Sequence, residues 1–244
     1  MIRSYSVVRR IQYSDCDMFG RIKPSAVFCL LQSAAVEHSF AVGSPLVKPR
    51  GGTAMWVVAR TYYKFDRPVT VNEKIFVHTA IRMPLGFAFY RDYEFYDESG
   101  QQIGMATSIW ALTDRNTKRN VGVGISAGLK SMTKISGSLK SNRITRFRFP
   151  SSMAKTAVYT FTNSDLDMNG HVANVRYGDI AFDSINLDIY RHQFISELQI
   201  NYNVECRRGE TIDIFTGRDD VHRYIRGSVD SKVRFEVKMR LLPC

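Results

Sequence analysis

The chain carries one heptad twice. Residues 14–20 read Ser-Asp-Cys-Asp-Met-Phe-Gly and residues 164–170 read Ser-Asp-Leu-Asp-Met-Asn-Gly, identical at five of seven positions at an offset of 150. A repeat of that period is too long for a solenoid and implies two tandem copies of one domain-sized unit. The parallel continues downstream. Glu73–Thr79 matches Glu210–Thr216 at four of seven positions when Val77 is paired with Ile214, now at an offset of 137. The first copy therefore carries the longer loops. Within the heptad region the copies differ where chemistry can live: Asn169 and His171 stand where the first copy has Phe19 and Arg21.

Around each heptad the elements recur in one order. The first copy reads as a strand at Tyr5–Ile11, the Asp15–Gly20 loop, then a helix opened by Pro24 and running from Ala26 to Phe40. Pro at a first helical position suits its fixed φ, and Gly43 and Pro45 end the run. The helix is apolar on nearly every face, which predicts burial. Strands are expected at Met55–Phe65, Glu73–Arg82, Gly86–Tyr96 and Gln102–Leu112, the last two joined by a turn at Asp97–Gly100. The second copy repeats this in fewer residues: a strand at Ala157–Phe161, the Asp165–His171 loop, and a helix from Val172 to Ile185. Strands follow at Glu197–Cys206, Thr211–Asp219, Arg223–Val229 and Val233–Leu242. One buried helix followed by a meander predicts an α+β unit in which an antiparallel sheet curls around the helix. The expected organisation is an N-terminal domain at 1–114, a linker at 115–152 with a short strand at 144–149, and a C-terminal domain at 153–244.

Composition narrows the function classes. No stretch of the 244 residues approaches the roughly 20 apolar residues of a membrane span, and the N-terminus lacks a secretory apolar run. A cytoplasmic protein with no membrane partner is expected. Cys16, Cys29, Cys206 and Cys244 have no metal-knuckle or redox spacing, so neither metal nor organic cofactor is expected. Of the +11 net charge, most sits between Asp114 and Asp165, an interval without one acidic residue. Such a segment attracts an acidic partner. An acidic protein and a solvated linker both satisfy it, whereas nucleic acid is disfavoured by the scarcity of interleaved aromatics.

The discriminating pair is Asn169 and His171. Asp165 and Asp167 cap turns by residue type alone, as Asp15 and Asp17 do in the copy without a histidine. An imidazole shuttles protons, and amides at a helix start hold an oxyanion.

Asp167, Asn169, His171, Asn174 and Tyr177 meet the pattern Asp-x-Asn-x-His-x-x-Asn-x-x-Tyr without a gap, and Tyr202, Glu205, Cys206 and Arg207 meet a second one, Tyr-x-x-Glu-Cys-basic. In both the chain resembles the acyl-ACP thioesterase family over nearly its whole length. The resemblance implies two tandem hotdog domains, each an antiparallel sheet wrapped around a long buried helix. It implies hydrolysis of the thioester between a fatty acyl chain and acyl carrier protein, by a monomer or homodimer. Asp167, Asn169, His171 and Glu205 match the family's catalytic set, with Glu205 as base or nucleophile and Asp167 fixing His171. Cys206 matches a cysteine once assigned as nucleophile. Beside a carboxylate its pKa rises, which makes it the weaker candidate. The first copy becomes the acyl-binding half, with Asp66 roughly in the place of Glu205. Val27, Phe28, Leu31, Met55, Trp56 and Met83 are candidates to line an acyl tunnel, and core packing accounts equally for any one of them. Gly170 stands where plant members commonly carry Gln, and neither chain length nor a preference for carrier protein over CoA is written in these residues.

Overall fold

The heptad in each half folds into a tight hairpin loop. The structure is a computed structural model that describes residues 4–42, 54–82, 85, 88–114, 116–117, 119–120, 139 and 144–244. Ten strands and few helices make it up: β1 (Ser4–Arg10), α1 (Pro24–Ala41), β2 (Ala54–Phe65), β3 (Lys74–Ile81), β4 (Ala88–Tyr96), β5 (Gln102–Asp114), β6 (Ala154–Thr160), α2 (Arg176–Asp183), α3 (Leu187–Tyr190), β7 (Gln193–Tyr202), β8 (Thr211–Arg218), β9 (His222–Val229) and β10 (Lys232–Pro243). The strand pairs β1·β3, β3·β4, β4·β5, β7·β10, β10·β9, β9·β8 and β8·β6 are antiparallel.

The chain divides into two units that interleave along the sequence. One comprises Met1–Arg10, Leu30–Thr61 and Glu73–Arg143, the other Ile11–Cys29, Tyr62–Asn72 and Ile144–Cys244. In the first unit β1, β3, β4 and β5 lie in that order. Alternation sets their faces: Ile75, Val77, Tyr93 and Phe95 are fully buried. The buried layer ends in polar groups. Arg91 Nη1 donates to Thr79 Oγ1 at 3.2 Å and meets His38 Nδ1 at 2.9 Å. A guanidinium only donates, so Nδ1 accepts and the His38 ring is neutral. The helix α1 is not buried all round, as its composition predicts. Leu31, Ala34, Ala35 and His38 are buried, but Cys29, Gln32, Ser33, Val36 and Phe40 are exposed.

In the second unit the order is β7-β10-β9-β8-β6. Leu198, Ile200, Ile212, Ile225, Phe235 and Val237 are fully buried along one face, and Tyr177 of α2 packs its ring 4.9 Å from that of Phe235. The turn between β9 and β10 is two-residue, with Asp230 at φ 48° and Ser231 at φ 63°. Positive φ at both central residues matches the twist of a hairpin.

Three sequence expectations fail here. The strand expected at 144–149 is an extended strap without strand pairing. It crosses the sheet rather than joining it, following the row Gln199, Lys238, Tyr224 and Gly217, which are register partners on β7, β10, β9 and β8. Thr145 O accepts from Gln199 Nε2 at 2.8 Å. Lys238 Nζ lies 5.7 Å from the Phe147 ring centroid, and Phe149 sits 5.7 Å from the Tyr224 ring under the Arg226 guanidinium. At β8 the strap passes so close that a Cβ on Gly217 would stand 2.9 Å from Pro150 and 3.0 Å from Ser152 O. The helix expected at 172–185 shrinks to Arg176–Asp183: Val172 N–H donates to Cys206 O and Ala173 N–H to Asp165 O, so residues 172 and 173 belong to the loop closure. The strand expected at Glu197–Cys206 starts at Gln193 and stops at Tyr202, where Asn203 and Val204 both donate to Arg234 O and break the ladder.

Candidate active site

The loop Asp165–Ala173 closes by main-chain bonds at every rung. Ala173 N–H donates to Asp165 O at 2.8 Å, Leu166 bridges Val172, Asp167 N–H donates to His171 O at 2.8 Å and Gly170 N–H to Asp167 O at 3.0 Å. Gly170 has φ 76°, a conformation that costs an L side chain roughly 1–2 kcal/mol. The Asp167 carboxylate seals the tip: Oδ1 accepts from Asn169 N–H at 2.8 Å and His171 N–H at 3.2 Å. Asp167 thus fixes the backbone of His171 and not its ring.

The ring is held from the other segment. Beyond the end of β7 the chain leaves the sheet, and Glu205 Oε2 lies 3.2 Å from His171 Nε2. A carboxylate oxygen only accepts, so a hydrogen bond across this contact requires the imidazole proton on Nε2. Arg207 Nη2 donates to Glu205 Oε1 at 3.2 Å, and Arg234 Nη1 donates to Glu205 O at 3.0 Å. His171 and Glu205 keep side-chain exposures of 18% and 34%, enough for a substrate to reach both. Asn169 is exposed at the tip, its Nδ2 3.4 Å from Asp167 Oδ2. The four residues Asp167, Asn169, His171 and Glu205 therefore come together.

Cys206 does not join them. It is fully buried and hydrogen-bonded to the Tyr177 side chain. Burial pushes its thiol pKa up, more than Tyr177 and Arg234 lower it, and the carboxylate that adds to the rise is Glu210. A protonated, inaccessible thiol is a packed side chain. The helix-start amides expected to polarise a carbonyl are displaced, since Val172 and Ala173 are already donors within the loop and α2 begins only at Arg176.

The first copy builds the same loop. Lys23 N–H donates to Asp15 O, Cys16 bridges Ile22, Asp17 N–H donates to Arg21 O, Gly20 has φ 77°, and Asp17 Oδ1 takes Phe19 N–H and Arg21 N–H, each at 2.9 Å. Ile22 N–H donates to Val69 O as Val172 N–H does to Cys206 O. Val69 therefore corresponds to Cys206, and the residue in the place of Glu205 is Pro68, not Asp66. Asp66 is exposed and lies 3.4 Å from Lys64. Arg21 was not recognisable as a structural residue from its sequence position. It is buried, with Nη1 donating to Gln193 O at 2.9 Å and Cys244 Sγ at 2.7 Å, and Nη2 donating to Tyr190 O. A cavity of about 20 Å³ beside it is lined by Asp17, Ile22, Pro68, Tyr190 and Phe194 among others, room for a water and no more.

Of the acyl-lining candidates, Val27, Phe28 and Leu31 are buried, and Phe28 packs edge-on to Tyr63 at 6.1 Å. Met55 and Trp56 are half-buried, Trp56 edge-on to Phe89 at 4.7 Å. Met83 lies outside the described residues. None of the other five lines the cavity at Arg21.

Known proteins share both the sequence pattern and the fold. The chain is similar to the palmitoyl-acyl carrier protein thioesterase of Gossypium hirsutum, 26% identical over 225 residues that are 90% of this chain and 54% of that protein. It is similar to oleoyl-acyl carrier protein thioesterase 1 of Arabidopsis thaliana, 22% identical over 77% of this chain and 56% of that one. The chain thus spans about half the length of these curated relatives. An acyl-ACP thioesterase structure from Bacteroides thetaiotaomicron superposes with a TM-score of 0.88 at 20% identity, covering 98% of both chains. The 12:0-ACP thioesterase of Umbellularia californica gives 0.87 at 19% identity, covering 99% of this chain and 98% of that one. The acyl-ACP thioesterase N-terminal domain model matches residues 3–124 and the C-terminal domain model residues 151–240. The chain belongs to the acyl-ACP thioesterase family.

Proposed function

We propose that the chain hydrolyses the thioester of fatty acyl-[acyl-carrier-protein], releasing free fatty acid and holo-carrier protein. The observation that carries this reading is the 3.2 Å contact between His171 Nε2 and Glu205 Oε2, made between two half-exposed side chains from separate segments. In the proposed reaction a water beside Glu205 loses a proton to its carboxylate as the oxygen attacks the thioester carbonyl. His171, with its proton on Nε2, orients that carboxylate, and the Asn169 amide donates to the developing oxyanion. The tetrahedral intermediate expels the pantetheine sulfur, which takes the proton held by Glu205. Atoms balance as thioester plus water giving acid plus thiol, with no redox change.

In this reading the fold is a pair of tandem hotdog domains, with 1–114 the acyl-binding copy and 153–244 the catalytic copy. Retention of Asn169, His171 and Glu205 in one copy only, against Phe19, Arg21 and Pro68 in the other, supports that division. The test is release of free thiol from a panel of acyl-carrier proteins and the matching acyl-CoAs, with Glu205→Ala as the blank. Turnover of the carrier-bound substrates, lost in the blank, is expected. Equal turnover of wild type and blank would remove Glu205 from the mechanism, and preferential turnover of the CoA esters would replace the carrier protein as substrate.

A further inference from the structure

The loop around His171 is held by a second device that the loop around Arg21 lacks. At its base Asp165 is fully buried, and its carboxylate takes four donors. Oδ1 accepts from the Tyr159 hydroxyl at 2.9 Å and Arg176 Nε at 2.7 Å, and Oδ2 accepts from Thr162 N–H at 2.7 Å and its hydroxyl at 3.1 Å. Burial pushes the Asp165 carboxyl up, but these bonds together outweigh it and hold the group below the usual carboxylate range. Arg176 also donates to the Tyr159 hydroxyl at 3.2 Å and to Asp179 Oδ2 at 2.5 Å, so one guanidinium ties the end of β6, the base of the loop and the first turn of α2.

By the offset of 150, Tyr159, Asp165 and Arg176 correspond to Arg9, Asp15 and Ala26. Asp15 keeps one equivalent bond, from Gln12 N–H at 2.8 Å, and its carbonyl keeps Lys23 N–H at 2.9 Å. The guanidinium has no counterpart, because Ala26 cannot supply one. Yet the first loop has the same rungs, the same carboxylate seal and the same positive-φ glycine. The clamp is therefore not what gives the loop its shape. It is present only where the loop must aim a side chain.

We propose that Arg176 is a positioning residue, which holds the base of the Asp165–Ala173 loop so that the His171 ring keeps its contact with Glu205. The assignment rests on the proposed hydrolase reading. A reacting group displaced by about 1 Å can lose on the order of 100-fold in rate, so stiffness at this base acts on turnover and not on binding.

The test uses the full chain and the variants Arg176→Ala, Arg176→Lys and Tyr159→Phe, with two readouts. The first needs no turnover: the His171 ring resonance by NMR, assigned by loss in His171→Gln and referenced to its position in Glu205→Gln. The expected result for Arg176→Ala is a His171 signal moved towards the Glu205→Gln position in a chain that still melts cooperatively. The second readout is steady-state kinetics on acyl-carrier protein, where kcat falls about 10- to 100-fold and KM stays within about twofold. Arg176→Lys restores part of both. An unchanged His171 signal with unchanged kcat in Arg176→Ala would overturn the proposal, as would a change in KM alone. If Arg176→Ala does not fold, Tyr159→Phe, which removes one hydroxyl, decides on the same readouts. A wild-type chain inactive on every thioester would overturn the hydrolase reading while the resonance test still decides for or against the clamp.

Discussion

The loops Asp15–Lys23 and Asp165–Ala173 have matching backbones and opposite uses. Each is sealed by one aspartate that takes two amides, Asp17 in the first and Asp167 in the second. In the second the residue after the glycine is His171, aimed at a half-exposed carboxylate. In the first it is Arg21, driven inward onto the carbonyls of Tyr190 and Gln193. One scaffold thus mounts a histidine–carboxylate contact in one copy and a structural tie in the other. The choice is made by two positions, His171 against Arg21 and Glu205 against Pro68. The backbone is the constant and the side chain the variable.

The sharpest way to break this comparison is His171→Arg, which writes the first loop onto the second. Thioester turnover is expected to fall about 1,000-fold or more, while the melting temperature stays near wild type because the first loop already carries an arginine there. Thiol release within tenfold of wild type would show that the histidine is not what separates the loops. Next is Arg21→Ala. It strips the donors from two carbonyls in a buried setting, and a loss of about 2–4 kcal/mol in urea unfolding is expected, with kcat of the folded chain preserved. A smaller effect follows from Asp17→Ala and Asp167→Ala, each leaving two loop amides without their acceptor at about 1–2 kcal/mol. Asp17→Ala also removes the carboxylate 3.4 Å from the buried Arg21 guanidinium, so its stability loss should be the larger of the two, and only Asp167→Ala should lower kcat.

The last and smallest difference is in pH dependence. The folded Asp165 carboxyl is depressed by its four donors, so its stabilisation is fully present above the unfolded value of about 3.9 and is lost as pH falls through the lower folded value. Acid unfolding curves of wild type and Asp165→Asn should therefore converge at low pH and separate above about pH 4. Curves that stay parallel would remove Asp165 as a source of the acid limb.

Much of this was legible in the sequence because it is local. The two heptads, the strands β3, β8, β9 and β10 and the association of Asp167, Asn169, His171 and Glu205 all follow from short-range patterns and the family resemblance. What was not legible depends on distant partners. Arg21 bonds residues 169 and 172 positions away, which no window shows. Pro68 rather than Asp66 answers to Glu205, although the offset of 137 between Glu73 and Glu210 already implies it. Alternation of Arg146, Phe147, Arg148 and Phe149 mimics a strand, but the alternation serves a strap that half-buries its aromatics and exposes its cations. The helix after His171 is shorter than its residue pattern suggests because residues 172 and 173 close the loop onto Cys206 and Asp165, partners that helix propensity does not record.

That strap carries a kinetic consequence. It has no strand ladder of its own, and its anchors on Gln199, Lys238, Tyr224 and Gly217 exist as one row only after β7, β10, β9 and β8 stand side by side. Residues 144–150 therefore settle late, over a sheet that has already assembled. Contacts formed after the folding barrier slow unfolding without speeding folding. The closeness at Gly217 makes the strap a latch, and loosening it is expected to speed unfolding more than it slows folding.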